Sequence, residues 1–114
     1  MNPDSWHIIP EGTISIDFSG CKYTDDIQEK LKESFGFPDY YGKNWSAFWD
    51  CLSDFAISED VNREIIISGL DKLHADMKDY TRTMVEVMLR AETLFPLIHF
   101  VFTDNRISDQ ETKE

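Results

Sequence analysis

The sequence predicts an α/β domain built on a small parallel sheet, and three observations carry that prediction. Strand-like stretches, one alternating and two apolar throughout, are separated by stretches with apolar residues at helical spacing. Their order is strand, helix, helix, strand, one or two helices, strand, so every pair of successive strands has room for a helical crossover. At 114 residues the chain holds the core of one domain. Right-handed crossovers then give a three-stranded parallel sheet packed with three to four helices.

Residues 1–12 contain Pro3, Pro10 and Gly12 but also Trp6, Ile8 and Ile9, and read as an N-terminal arm lying on the body. The domain proper is expected over 13–103. Thr13 to Phe18 alternates as a first strand, closed by Ser19-Gly20. From Asp25 the period changes: Ile27, Leu31 and Phe35 recur among charged residues, with Thr24 or Asp25 as the cap, until Gly36 and Pro38 stop the helix. Asn44 is a good cap for a second helix from Trp45 to Phe55.

After a turn-like stretch at 58–62, Glu64 to Ser68 holds three consecutive isoleucines before Gly69 and reads as a strand buried on both faces. Leu73, Met77, Tyr80, Met84, Val87, Met88 and Ala91 keep helical spacing, either as one helix or with a fresh start capped by Asp79. Pro96 ends that region. Leu97 to Phe102 is the third strand, again apolar on both faces, and residues 104–114 form a polar tail.

Charge and composition narrow the function. Apolar residues at 41% and aromatics at 13% exclude a disordered chain. Eleven basic against 22 acidic residues give a net charge of −11, which repels nucleic acid and anionic membranes and suits rapid association with a basic partner. The cysteines Cys21 and Cys51 have no CxxC spacing, no signal-peptide pattern precedes the domain, and no apolar run approaches membrane-spanning length. The expectation is a cytoplasmic protein with reduced, structural thiols, monomeric when free.

Motifs for catalysis are missing: there is no GxGxxG, GxxxxGK[ST], GxSxG or HExxH. His7, His74 and His99 share no motif; His99, inside an apolar strand, reads as a core histidine, and His74 as solvated. Carboxylate pairs such as Asp25-Asp26 and Glu59-Asp60, and the set Asp71, Asp76 and Asp79, read as solvated faces and caps. Neither a metal nor any other cofactor is expected.

The segment from Phe35 to Phe55 is the informative one, with eight aromatics in 21 positions. On the second helix Trp45, Phe48, Leu52 and Phe55 form the expected buried stripe, with Cys51 at its border. Ser46, Asp50 and Asp54 form the opposite, acidic stripe, and Trp49 lies between them. From Asn44 to Asn62 there are four carboxylates and no Lys or Arg. Exposed Tyr and Trp beside unpaired acid is the composition of a protein-binding surface.

Phe37-Pro38-Asp39-Tyr40-Tyr41-Gly42-Lys43-Asn44, followed by Ala47, Phe48, Trp49, Asp50, Cys51 and Leu52, resembles the signature loop and helix of the barstar family of intracellular ribonuclease inhibitors. The resemblance is looser over the rest of 13–103. It implies a barstar-like sheet and a partner surface made by the second helix and the loop before it. On that basis Asp50 takes the place of a substrate phosphate in the ribonuclease active site, Tyr40 packs against the enzyme's catalytic histidine, and Trp49 flanks them. Tyr41 belongs to the same signature, Gly42 lets the loop backbone approach closely, and Asn44 caps the helix.

Two positions depart from the family pattern. Ser46 stands where the family has a second aspartate, and Arg90 where it has a glutamate on a later helix, with Glu92 nearby on another face. Asp54, one turn after Asp50, restores negative charge. The leading expectation is an immunity protein that blocks a basic ribonuclease or related toxin whose arginine arrangement is shifted. The alternatives are a barstar-fold binding module for a non-ribonuclease toxin or regulatory protein, and, from another class, a small metal-dependent hydrolase.

Overall fold

A computed structural model describes residues 12–59 and 61–103. The expected N-terminal arm, apart from Gly12, and the tail at 104–114 lie outside the described residues, as do His7 and Asp60. The order is β1 (Ile14–Asp17), α1 (Thr24–Phe35), α2 (Trp45–Ser58), β2 (Arg63–Ser68), a 3-10 turn (Leu70–Lys72), α3 (Ala75–Leu94) and β3 (Ile98–Phe102). The strands form one parallel sheet in the order β1-β2-β3, so the α/β architecture with three helices is as the sequence predicts.

The register aligns Ile14 with Ile65 and Phe100, and Ile16 with Ile67 and Phe102. Apart from the half-buried Phe102, these side chains are buried, while Ser15, Asp17, Glu64, His99 and Val101 alternate to the other side and are exposed. Among the described residues β2 and β3 are therefore covered on one face only, against the expectation of burial on both. With strand order 1-2-3, crossovers of one hand bring every described helix to the same side of the sheet, leaving the opposite side without a helix. His99 goes with that open side: it is exposed, with Nε2 3.2 Å from Asn62 Oδ1, and is no core histidine.

Local chemistry sets the helix ends. Tyr23, one residue earlier than expected, occupies the N-cap position of α1, and Asp26 reaches back to accept from the Tyr23 and Lys22 N–H groups, each at 2.9 Å. Those two bonds hold the Asp26 carboxyl below its ordinary pKa. Gly36 closes the helix at φ +73°, a conformation that favours glycine, with the Gly36 and Phe37 N–H groups both donating to Lys32 O. α2 runs past Phe55 to Ser58. α3 is a single helix after the 3-10 turn, so Asp79 caps nothing and instead pairs with Arg82 at 2.8 Å.

Aromatic rings dominate the core. Phe35 stacks on Phe37 at 5.3 Å and meets Phe55 edge-on at 5.1 Å, and Phe37 lies 4.9 Å from Tyr41. Phe35, Phe37, Phe48 and Phe55 are fully buried, each such ring contributing roughly 1.5–3 kcal/mol of transfer free energy. Phe37 belongs to the α1–α2 loop, so the loop is rooted in the core rather than laid over it. Trp45, placed by spacing in the buried stripe, is only half-buried: it opens the helix, against Phe48 (5.7 Å) and Tyr80 of α3 (4.7 Å).

Candidate functional site

The α1–α2 loop and the outer face of α2 form one continuous surface. Asn44 starts α2 as expected: its Oδ1 accepts from the Ala47 N–H at 2.8 Å, while its Nδ2 donates to Gly42 O at 3.3 Å. The Gly42 position is tight, since a Cβ there would lie 3.3 Å from Asn44 Nδ2 and 3.5 Å from Ala47 Cβ. Glycine at 42 thus makes room for the cap, a constraint internal to the loop. Lys43, between them, takes a left-handed φ of +56° and pairs with Glu29 of α1.

From this cap Ser46, Asp50 and Asp54 project along the exposed side of α2. Among the described residues the ion pairs are Lys32–Asp39, Lys43–Glu29, Arg63–Glu59 and Arg82–Asp79, and none engages Asp50 or Asp54. Glu59 leaves the acidic surface, because its carboxylate turns inward to Arg63 at 3.0 Å and both side chains are 9% exposed. Arg63 also lies 5.5 Å over the Phe55 ring, which fastens the end of α2 to the start of β2.

The two loop tyrosines separate. Tyr40 is 57% exposed and Tyr41 only 5%. Tyr41 points inward and donates from its hydroxyl to Gln28 Oε1, so its ring is not on the surface. Burial pushes its hydroxyl pKa upward, helped by Cys51 and Tyr80. Trp49 is half-buried, 6.4 Å from Phe95, with the Arg90 guanidinium 4.6 Å over its ring. Arg90 therefore puts a cation beside the acidic stripe. Glu92 faces elsewhere, accepting from the Phe100 N–H at 3.0 Å.

Sequence reasoning missed Gln28, Tyr80 and the Trp49–Arg90 stack. Gln28 follows Ile27 on α1, and a lone amide next to a core position carries no signal that it is 1% exposed. The chemistry available at this surface is that of binding. Cys51 is buried beneath it, and burial, with the Asp54 and Asp50 charges adding, pushes its thiol up to about 11. Burial also raises the Cys21 thiol. Both cysteines are free, and neither is a reactive thiolate at neutral pH. Among the described residues no group of His, Cys, Asp and Glu could hold a metal ion, and no helix is long and apolar enough to cross a membrane.

Residues 12–104 match the family described as "Barstar (barnase inhibitor)". A Bacillus subtilis (strain 168) protein named "Putative ribonuclease inhibitor YrdF" is 28% identical over 79 residues, covering 69% of this chain and 84% of the relative. The matched region holds the whole sheet, all three helices and the loop–α2 surface. By that match the chain belongs to the barstar family, whose members are inhibitors and not enzymes.

Proposed function

We propose that the protein is an immunity protein of the cytoplasm that blocks a basic ribonuclease, presenting the α1–α2 loop and the outer face of α2 to the enzyme's active site. The observation that carries this reading is Asp50: an exposed carboxylate at the middle of α2, engaged in no ion pair among the described residues. An ionised carboxylate only accepts hydrogen bonds and takes two at once from an arginine fork. It can therefore replace a phosphate wherever arginines are gathered to hold one. Asp54 adds charge one turn later on the same exposed side as Ser46, while Gly42 and Asn44 shape the loop and the start of the helix. Tyr40 and Trp49 supply flanking aromatic area, and Tyr41 acts through the loop it anchors.

Arg90 specifies the client further. A cation held on Trp49 beside the acidic stripe suits an enzyme with an acidic group at the rim of its cleft. The same residue favours, as a second reading, a non-ribonuclease toxin bound through the same face.

RNA cleavage by barnase, titrated with the protein, tests the proposal. Removing one partner of a desolvated ion pair costs about 3–5 kcal/mol, so Asp50→Ala is expected to weaken inhibition by roughly a hundred-fold or more. Asp54→Ala should cost much less. Equal small effects from the two variants would refute the phosphate-mimic role. If the wild-type protein leaves barnase active, capture of partners from cells carrying neighbouring toxin genes decides between the two clients.

A further inference from the structure

The buried polar or charged side chains among the described residues are Gln28, Arg63 and Thr81. Thr81 is satisfied within α3 by the Met77 and Lys78 carbonyls, and Arg63 is held by Glu59. Gln28 differs, because its head group joins two other parts of the fold. Its Oε1 accepts from Tyr41 of the loop, and its Nε2 donates to the Tyr80 hydroxyl of α3 at 2.7 Å. Tyr80 in turn packs against Trp45, the first residue of α2, at 4.7 Å. Both ends of the segment from Tyr41 to Trp45 thus lead to one amide.

The neighbours of Gln28 on α1 act on the same loop. Glu29 pairs with Lys43, whose left-handed backbone needs an external hold, and Lys32 lies 3.4 Å from Asp39. Three residues of one α1 face therefore grip loop positions 39, 41 and 43. Gln28 is the buried member, shielded from the water that screens the other two.

We infer that Gln28 is a positioning residue: it fixes the loop against α1 and so sets how Tyr40 and the start of α2 are presented to a target. This rests on the proposed use of the loop and α2 as the target surface. A loop ordered before encounter loses no conformational freedom on binding, which raises affinity without adding a contact.

The test uses the full chain and Gln28→Met, which keeps length and apolar volume but removes both hydrogen bonds. Amide exchange is followed at Tyr41, Ala47 and Phe48, whose N–H groups bond to Pro38 O, Asn44 Oδ1 and Asn44 O. The reference is the turn where Phe95 and Ile98 donate to Ala91 O and Phe95 O. The inference expects the loop and first-turn amides to exchange about ten-fold faster and the reference turn to stay within about two-fold. Barnase inhibition is expected to weaken about ten-fold, with Tyr41→Phe giving a similar loss and the double variant little more than either alone.

Unchanged loop amides, or equal acceleration at the reference turn, would overturn the positioning role. A loosened loop with undiminished inhibition would overturn its link to binding. If the wild-type chain does not inhibit barnase, the ribonuclease reading fails for that enzyme, while the exchange result still decides whether Gln28 positions the loop. Should Gln28→Met not fold, Tyr80→Phe removes one of the two bonds at a half-buried site and is read in the same way.

Discussion

Asn44 joins stability and site geometry in one side chain, so its replacement has separable consequences. Its Oδ1 satisfies the Ala47 N–H at 2.8 Å, one of the donors left open at the start of α2, and its Nδ2 reaches Gly42 O at 3.3 Å. Loss of an N-cap side chain costs about 0.5–2 kcal/mol. No acidic residue in the first turn of α2 compensates, so the expected cost for Asn44→Ala is in the upper part of that range, about 1–2 kcal/mol. In a domain of this size that lowers Tm by roughly 4–8 °C per kcal/mol.

Asn44→Asp divides the two bonds. The carboxylate still accepts from Ala47, and its charge at a helix N-terminus adds about 0.3–1 kcal/mol, but it cannot donate to Gly42. The Asp variant should therefore match or exceed wild-type stability in urea denaturation while its loop amides exchange faster. A change of less than about 0.3 kcal/mol for Asn44→Ala would refute the cap as the start of α2. An Asp variant as unstable as the Ala variant would refute the division of labour between the two bonds.

Three further outcomes follow from the packing. Gly69→Ala should be strongly destabilising, about 2–5 kcal/mol by chemical denaturation: φ is +83°, and the new Cβ would lie 2.5 Å from Ser19 N and closer still to Asp17 Oδ1. A near-neutral result would mean that the β1 end and the β2 end do not approach as described. Trp45→Ala should cost about 2 kcal/mol, below the 3–5 kcal/mol of a fully buried aromatic, because Trp45 is only partly covered; a loss above 4 kcal/mol would return Trp45 to the core. The raised Cys51 pKa stabilises the fold fully below the ordinary thiol value of 9.0, and that contribution is lost as pH rises toward about 11. Stability should fall over that window in the wild type and less steeply in Cys51→Ala, and native Cys51 should resist iodoacetamide at pH 7.5; rapid alkylation would contradict its burial.

Much of the fold was legible because backbone periodicity and punctuation are local. Alternation marked β1, Gly36 with Pro38 ended α1, and Asn44 announced α2 through the bonds its side chain makes within three residues. The acidic stripe of Ser46, Asp50 and Asp54 was legible for the same reason, since a helix places i, i+4 and i+8 on one side whatever surrounds it. The isoleucine run of β2 misled, because a strand apolar on both sides does not reveal which side the helices cover. Only the topology, with every crossover on one side, exposes His99 and Val101.

The sequence by itself determined the family, the loop and the acidic face, all properties of contiguous residues with fixed backbone spacing. The tertiary structure alone decided which groups meet across elements. Tyr40 and Tyr41 are chemically alike and adjacent, yet one faces solvent and the other is buried, because α1 presents Gln28 beneath the second and not the first. Glu59 belongs to the acidic stretch by position, yet its carboxylate is taken up by Arg63, and Trp49 is partly covered because Arg90 reaches it from α3. The Tyr41–Gln28 and Trp49–Arg90 contacts join residues far apart in sequence, and even Glu59 and Arg63, only four positions apart, meet because α2 ends where β2 begins, so no periodicity records them.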